Sequence, residues 1–186
     1  PDTTYPVPDT SIPDRPSCLV PRKHNATTHL MERIPNIALG SEGLVVPAVG
    51  PGCMGMSTMA GNNIYGEANE AEAIATIHRS LELGGKFLDN ADLYGPLENE
   101  RQIAQAIKGN RDKYIIATKF GFEINDASEL TWACNGTKDD VRKAVERSLK
   151  NLGTDHVELN YLHRLDPNTP IEETVGAMAD LVKKAR

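Results

Sequence analysis

The chain has 186 residues, and its 39% hydrophobic and 25% charged residues are typical of a globular protein. Its formal net charge of -6 argues against nucleic acid as a partner, because phosphate binding favours a basic surface. No stretch approaches the ~18 apolar residues of a membrane span, so we expect no membrane contact. The three cysteines, Cys18, Cys53 and Cys134, lack zinc spacing. They predict reduced thiols, no metal site and a cytoplasmic protein.

Residues 1–33 differ in composition from the rest of the chain. They are rich in Pro, Thr and Asp and show no sustained hydrophobic period. Such a composition buries too little apolar surface to order itself. We therefore predict that residues 1–33 form a disordered or non-native tail, and that residues 34–186 form the folded domain.

The first ordered element predicted by the sequence is a β-hairpin. Residues 36–39 and 44–46 are short apolar strands around a turn containing Gly40 and Gly43. Residues 47–55 predict a further short strand that ends in a Gly-rich loop, where backbone could approach a ligand.

Strands and helices then alternate. The predicted helices cover residues 69–83, 99–108 and 137–152 and begin again at 169, and the predicted strands cover 86–89, 114–119 and 157–163. Asn69 and Thr137 are the predicted N-terminal caps of two helices, and Gly153 is a predicted helix end. Four βα units in succession indicate a parallel sheet with helical crossovers. An open doubly wound sheet and half of a (β/α)8 barrel both fit this order. Residues 123–136 are expected to form a solvent loop, the alternative being one wall of a substrate site.

Two of the predicted helices have an apolar face that we expect to pack against the sheet. In the helix from Thr137 the apolar positions are Val141, Val145, Leu149 and Leu152. In the helix after Thr169 they are Ile171, Val175, Met178 and Val182.

Three predicted strands end on ionisable residues, namely Asp89, Lys119 and His163, and Tyr94 follows Asp89 by five positions. In a parallel barrel the carboxyl ends of all strands open on one face, where active sites lie. A lysine beside a tyrosine favours the phenolate and lowers the phenol pKa, which suits general acid catalysis. A structural Asp89–Lys119 ion pair, an ordinary loop tyrosine and a structural histidine are the alternatives.

The same segments, taken together, resemble the aldo-keto reductase family. The resemblance is carried by Phe87-Leu-Asp-Asn-Ala-Asp-Leu-Tyr-Gly95 with Glu98-Asn-Glu100, by Ala117-Thr-Lys-Phe-Gly121 and by Leu159-Asn-Tyr-Leu-His-Arg-Leu-Asp166. Residues 166–174 are similar to the branch that holds plant and fungal members and potassium-channel beta subunits. The resemblance covers about residues 34–186. It implies an α/β fold of TIM-barrel type, present as the N-terminal (βα)4 half with an N-terminal β-hairpin.

The resemblance also implies a function for each site residue. Tyr94 would donate a proton to a carbonyl oxygen, Lys119 would lower its pKa, Asp89 would hold Lys119, and His163 would orient the carbonyl. The hydride would come from NADPH, without a metal, and the substrate would be a small aldehyde or ketone. Cys53, Met54 and Asp89 would lie at the nicotinamide end of the cofactor.

The length of the chain leads to two further expectations. By resemblance, most contacts to NADPH belong to four later strands, so we expect the chain alone to be weakly active. The alternative hypothesis is a non-enzymatic half barrel that binds a partner or forms a homodimer through its exposed edges.

Overall fold

The computed structural model describes residues 34–58, 65–125 and 127–185, so the predicted tail over residues 1–33 lies outside the described residues. The described part of the chain is an α/β fold. Its strands are β1 (Asn36–Leu39), β2 (Leu44–Pro47), β3 (Phe87–Asp89), β4 (Ile115–Phe120), β5 (Phe122–Ile124), β6 (Leu130–Cys134) and β7 (Leu159–Leu162). Its helices are α1 (Glu70–Glu82), α2 (Glu98–Ile107), α3 (Lys138–Leu152) and α4 (Ile171–Ala185).

The N-terminal hairpin is confirmed, whereas the strand predicted after it is not formed. β1 and β2 pair antiparallel, with Leu39 opposite Leu44. Beyond β2 the chain makes a single parallel bridge, between Gly52 and Asp89, and then a short 3-10 turn. Prolines interrupt this segment, and each removes a backbone donor that a strand ladder would need. Gly50 is required for close approach, since a Cβ there would lie 2.3 Å from the carbonyl oxygen of Phe87.

The central sheet is parallel, as predicted, and has the order β3-β4-β7. Asp89 lies opposite Ala117, and Lys119 lies opposite Tyr161. β4 is the middle strand, and five of its six residues are buried. Among the described residues the sheet therefore has three hydrogen-bonded strands and one bridge, rather than the four full strands expected.

The helix boundaries follow the predicted capping signals. The Asn69 side chain accepts a hydrogen bond from the backbone N–H of Glu72 at 3.0 Å and begins α1. Thr137 caps α3 in the same way through the N–H of Asp140. Gly153 ends α3 with a φ of +62°, in the left-handed region that glycine adopts readily.

The inward faces of α3 and α4 match the predicted ones only in part: Val141, Leu152 and Met178 face the core as predicted, and the other predicted positions do not become buried. The buried residues of α3 are Val141, Ala144, Ser148 and Leu152. In α4 the buried residues are Thr174 and Ala177, whereas Ile171, Val175 and Val182 are 42%, 51% and 54% exposed. α4 packs on Phe120, Val141 and Ala144 through the small side chain of Ala177. Close approach at Ala177 turns the larger β-branched residues of α4 away from this contact.

The segment expected to be a solvent loop forms a second antiparallel hairpin. β5 and β6 pair with Phe122 opposite Cys134, and the register shifts before Ile124 meets Leu130. Trp132 lies in β6 with a φ of +64° and is 59% exposed. None of the helices in the described ranges is both long and apolar enough to cross a membrane.

Candidate active site

The carboxyl end of the central sheet brings together the four ionisable residues that the sequence singled out. Asp89 is the last residue of β3, Lys119 is the penultimate residue of β4, and His163 directly follows β7. Tyr94 lies in the loop between β3 and α2. The strands are parallel and in register, so residues more than seventy positions apart in sequence meet at one edge.

Lys119 is the centre of this group. Its Nζ donates hydrogen bonds to Asp89 Oδ1 at 2.5 Å, to the carbonyl oxygen of Asn90 at 2.8 Å and to Tyr94 Oη at 3.1 Å. These contacts use all three donors of an ammonium group. Because Lys119 donates to the phenol oxygen, the phenol O–H remains available to donate a proton elsewhere.

The charge of Lys119 is maintained by its neighbours. Burial by itself lowers the pKa of Lys119, but the hydrogen bonds that Lys119 donates to Asp89 and Tyr94, together with the charge of Asp89, outweigh burial and raise that pKa. The Lys119 side chain is 15% exposed and the Asp89 side chain is 42% exposed. Lys119 is therefore a fixed positive charge against the Tyr94 oxygen.

The loop that carries Tyr94 is tightly hydrogen-bonded, and Tyr94 is only 6% exposed. The Tyr94 N–H donates to the carbonyl oxygen of Ala91 at 3.2 Å, and its own carbonyl oxygen accepts from the N–H of Asn99 at 3.1 Å. Gly95 follows with a φ of +67°, where a Cβ would lie 2.8 Å from side-chain atoms of Glu98. The tyrosine is thus held by the backbone on both sides.

His163 lies against Tyr94 at the same edge. The two rings meet edge to face, with centroids 6.0 Å apart. The backbone N–H of His163 donates a hydrogen bond to the carbonyl oxygen of Phe120 at 2.7 Å. Burial, then the charges of Lys119 and Arg164, lowers the pKa of His163. The imidazole is therefore neutral at pH 7. Within the described residues, its buried Nδ1 has no hydrogen-bond partner.

An aromatic pair extends from His163, and one of its members, Trp132, lies in the segment 123–136 for which one wall of a substrate site was the alternative prediction. The Phe122 ring packs edge to face on His163, with centroids 5.5 Å apart, and on Trp132, with centroids 6.2 Å apart. Hairpin β5–β6 thus brings an apolar surface next to the histidine. The predicted strand periods gave no signal for this contact, because it depends on the irregular register of the hairpin.

Cys53 and Met54, the two other residues predicted to contact a cofactor, lie at different depths. Cys53 has no exposed surface and packs in the core with Ile77 and Leu88. Its N–H donates to the Asp89 carbonyl, and its carbonyl accepts from the Asn99 side chain. Burial, then the Asp89 charge, raises the pKa of Cys53 to about 12. Met54 is half-buried against the cluster of Ala91, Leu93 and Tyr94 and is the better placed of the two to meet a ligand.

Beneath the Tyr94 loop lies a buried polar network that sequence reasoning did not single out as functional. Asp92 and Glu100 are both 0% exposed. Arg147 Nη2 of α3 donates to Asp92 Oδ2 at 3.0 Å, while Thr118 Oγ1 and Asn151 Nδ2 donate to Glu100 at 2.8 and 3.2 Å. The sequence did hold a signal for this network: two acids, Asp92 and Glu100, lie in the segments 87–95 and 98–100, and Arg147 lies next to the inward face of α3.

A metal site is not apparent in the part of the chain that the structure describes. No three His, Cys, Asp or Glu side chains in those ranges cluster as metal ligands would. The expectation of a metal-free site stays a prediction.

Comparisons with a family model, curated proteins and solved structures all identify the same family. The family model described as "Aldo/keto reductase family" matches residues 53–185. The chain is 38% identical over 156 residues to the aldo-keto reductase yakc of Schizosaccharomyces pombe, whose name specifies NADP(+). That match covers 82% of this chain and 43% of the relative.

Solved structures agree with this match. An aldo-keto reductase from Bacillus halodurans in its holo form superimposes with a TM-score of 0.70 at 33% identity, over 82% of this chain and 47% of that one. A thermostable aldo-keto reductase in complex with the inhibitor epalrestat has a TM-score of 0.64 at 27% identity, over 81% of this chain and 50% of that one. These neighbours indicate a TIM-barrel-type α/β fold.

The chain therefore spans about half the length of the relatives it matches. The family model covers well over half of the 186 residues, including all four residues at the sheet edge. This chain belongs to the aldo/keto reductase family.

Proposed function

We propose that the chain carries the proton-transfer groups of an NADPH-dependent carbonyl reductase, which converts small aldehydes or ketones into alcohols. The observation that carries the proposal is the position of Lys119 Nζ, which donates to Asp89 and to Tyr94 Oη at once. A purely structural ion pair would not require the third contact, to a buried phenol. The relative from Schizosaccharomyces pombe, named for NADP(+), supports the cofactor class.

The residues around Lys119 and Tyr94 fit a nicotinamide and a carbonyl group. Asp89 retains an exposed carboxylate surface, and Met54 offers an apolar, half-buried side chain against the cluster that contains Tyr94. The unpartnered Nδ1 of His163 suits a ligand that brings a polar atom into a buried position. Met54 and Asp89 would thus hold the nicotinamide end. Cys53 would support them from the core, since its backbone bonds fix the chain beside Asp89.

When bound, NADPH supplies the hydride that reduces the carbonyl carbon. The chain's own residues handle the proton and the developing negative charge on the carbonyl oxygen. Tyr94 donates its proton to that oxygen, and Lys119 stabilises the phenolate that remains. Neutral His163 orients the carbonyl, and Phe122 with Trp132 excludes water on the hairpin side. The free thiols of Cys53 and Cys134 agree with a cytoplasmic setting.

The test is a Tyr94→Phe variant, which keeps the ring and removes the hydroxyl. We expect the NADPH-dependent reduction rate to fall roughly 100- to 10,000-fold, the contribution typical of general acid catalysis. Loss of nicotinamide absorbance under single-turnover conditions, with protein in excess, measures the rate. NADPH binding, followed by Trp132 fluorescence, should change little.

Tyr161→Phe is the matched control, because Tyr161 lies in the neighbouring strand β7 and is 41% exposed. It should retain the wild-type rate. Wild-type protein that binds no NADPH, or a Tyr94→Phe variant that reduces carbonyls as fast as wild type, would overturn the proposal.

A second candidate function is self-association or partner binding without catalysis. It is favoured by the exposed β-branched residues of α4 and by β7, which within the described residues pairs only with β4. Exposed apolar faces and strand edges favour association. A discrete dimer in light scattering would support this function, and a monomer at high concentration would argue against it.

A further inference from the structure

The buried ion pair between Arg147 and Asp92 lies outside the group that contacts Tyr94 directly. Arg147 is on α3, and its Nη2 donates to Asp92 Oδ2 at 3.0 Å. The Asp92 side chain is 0% exposed and that of Arg147 is 24% exposed. A paired charge at this depth is weak evidence of a stabilising role, since desolvation offsets most of the attraction. The pair therefore calls for another explanation.

Asp92 occupies a central position in the loop that carries Tyr94. Its backbone N–H donates to the carbonyl oxygen of Lys119 at 3.2 Å, and its carbonyl oxygen accepts from the N–H of Leu97 at 2.8 Å. Leu97 has a φ of +67°, an unfavourable conformation for a residue with a side chain. One residue thus links the Lys119 backbone, the end of the Tyr94 loop and, through its carboxylate, helix α3.

A second buried contact holds β4, the strand that carries Lys119. Glu100 of α2 is fully buried and accepts hydrogen bonds from Thr118, the neighbour of Lys119, and from Asn151 of α3. Both α2 and α3 therefore hold the segment from which Lys119 projects. Arg147 is the cation common to this network, since its charge opposes the burial that raises the pKa of both Asp92 and Glu100.

We propose that Arg147 is a positioning residue for the proton-donating pair: its ion pair with Asp92 fixes the loop between β3 and α2 so that Tyr94 Oη stays on Lys119 Nζ. The proposal rests on the proposed function for its catalytic consequence, but its structural content can be tested independently. Loss of Arg147 removes the hydrogen bond that ties Asp92 to α3, so the loop between β3 and α2 loses this attachment. Tyr94 then moves away from Lys119, and proton transfer slows.

The test compares Arg147→Met, Arg147→Lys and the control Arg142→Met. Arg142 is on the same helix, 45% exposed, and lies 3.9 Å from the exposed Asp139. The first readout is the NMR signal of the Tyr94 ring in protein with 13C-labelled tyrosine, assigned with Tyr94→Phe. A Lys119→Met variant defines the signal of a tyrosine without its ammonium partner.

We expect Arg147→Met to shift the Tyr94 signal toward the Lys119→Met position, Arg147→Lys to restore it in part, and Arg142→Met to leave it at the wild-type position. In the reductase assay, kcat should fall about 100-fold in Arg147→Met with little change in KM, as misplacement of a reacting group by about 1 Å predicts. If Arg147→Met does not fold, Asp92→Asn, which keeps the shape of the side chain, should shift the signal in the same direction.

The two readouts separate the possible failures. A Tyr94 signal unchanged in both Arg147→Met and Asp92→Asn, in folded protein, would overturn the positioning role whatever the enzyme activity. A shifted Tyr94 signal in a protein whose wild type reduces no carbonyl would support the positioning role and overturn the proposed function instead.

Discussion

Lys119 and Arg147 each pair with an aspartate, but at different depths. The Asp89 partner of Lys119 is 42% exposed, whereas the Asp92 partner of Arg147 has no exposed surface. Burial, then the nearby Glu100 charge, raises the pKa of Asp92 to about 7, although Arg147 opposes both effects. The carboxylate at Asp89 therefore lies at the exposed edge of the sheet, whereas burial makes the carboxyl group of Asp92 harder to ionise.

The raised pKa of Asp92 predicts how stability depends on pH. In the unfolded chain this carboxyl ionises near its ordinary pKa of 3.8, and in the folded protein near 7. Between these values the folded state retains a proton that the unfolded state has released, so stability falls as pH rises and levels off above about 7. Over the whole interval we expect Asp92 to contribute a loss of roughly 4 kcal/mol in the free energy of unfolding, of which roughly 3 kcal/mol falls above pH 5.

Urea unfolding of the wild type and of Asp92→Asn at pH 5 and pH 8 measures this effect. The wild type should be less stable at pH 8, and Asp92→Asn should lose much of that difference. Asp139→Asn, whose side chain is 83% exposed, is the control. If the free energy of unfolding depends on pH equally in wild type and Asp92→Asn, Asp92 has the same pKa in the folded and the unfolded chain, which contradicts the prediction.

At the scale of elements, the sequence signals for helix ends were accurate. Asn69, Thr137 and Gly153 each lie at the predicted boundary, because capping depends on local hydrogen bonds that a single residue can satisfy. The inward faces of α3 and α4 were less accurate. Hydrophobicity alone placed Val145 and Val175 inward, whereas packing against a neighbouring helix selected Ala144 and Ala177.

The cap of α1 gives a test at this scale. Asn69→Ala removes the acceptor for the Glu72 N–H and should lower the free energy of unfolding by about 1 kcal/mol. Asn69→Asp keeps an acceptor and adds a charge that favours the helix N-terminus, so it should be neutral or slightly stabilising. Chemical denaturation measures both variants, and an Asn69→Ala protein as stable as wild type would show that the cap contributes nothing.

At the scale of the whole molecule, α4 has apolar side chains on a buried and on an exposed side. Its Ala177 side packs on α3, while Val175 and Val182 remain about half exposed. Exposed β-branched residues on one helix face favour association in water. The double variant Val175→Ser/Val182→Ser should therefore shift any dimer toward monomer, with little change in the free energy of unfolding.

Light scattering over a concentration series measures this shift. Glu172 and Glu173 lie on the same helix and are exposed, so a Glu172→Gln/Glu173→Gln variant is a control that keeps the valines. An association constant equal in the valine variant and the wild type would exclude this face as the contact.

The sequence by itself determined the α/β alternation, the helix caps, the N-terminal hairpin and the identities of Asp89, Tyr94, Lys119 and His163. These features depend on local chemistry or on residue types at strand ends. Only the tertiary structure decided that Lys119 reaches Asp89, Asn90 and Tyr94 together, that Cys53 is buried, and that residues 130–134 form a strand. It also revealed the contact of Arg147 with Asp92. Such contacts join residues tens of positions apart, and their geometry follows from how sheet and helices pack rather than from any local pattern.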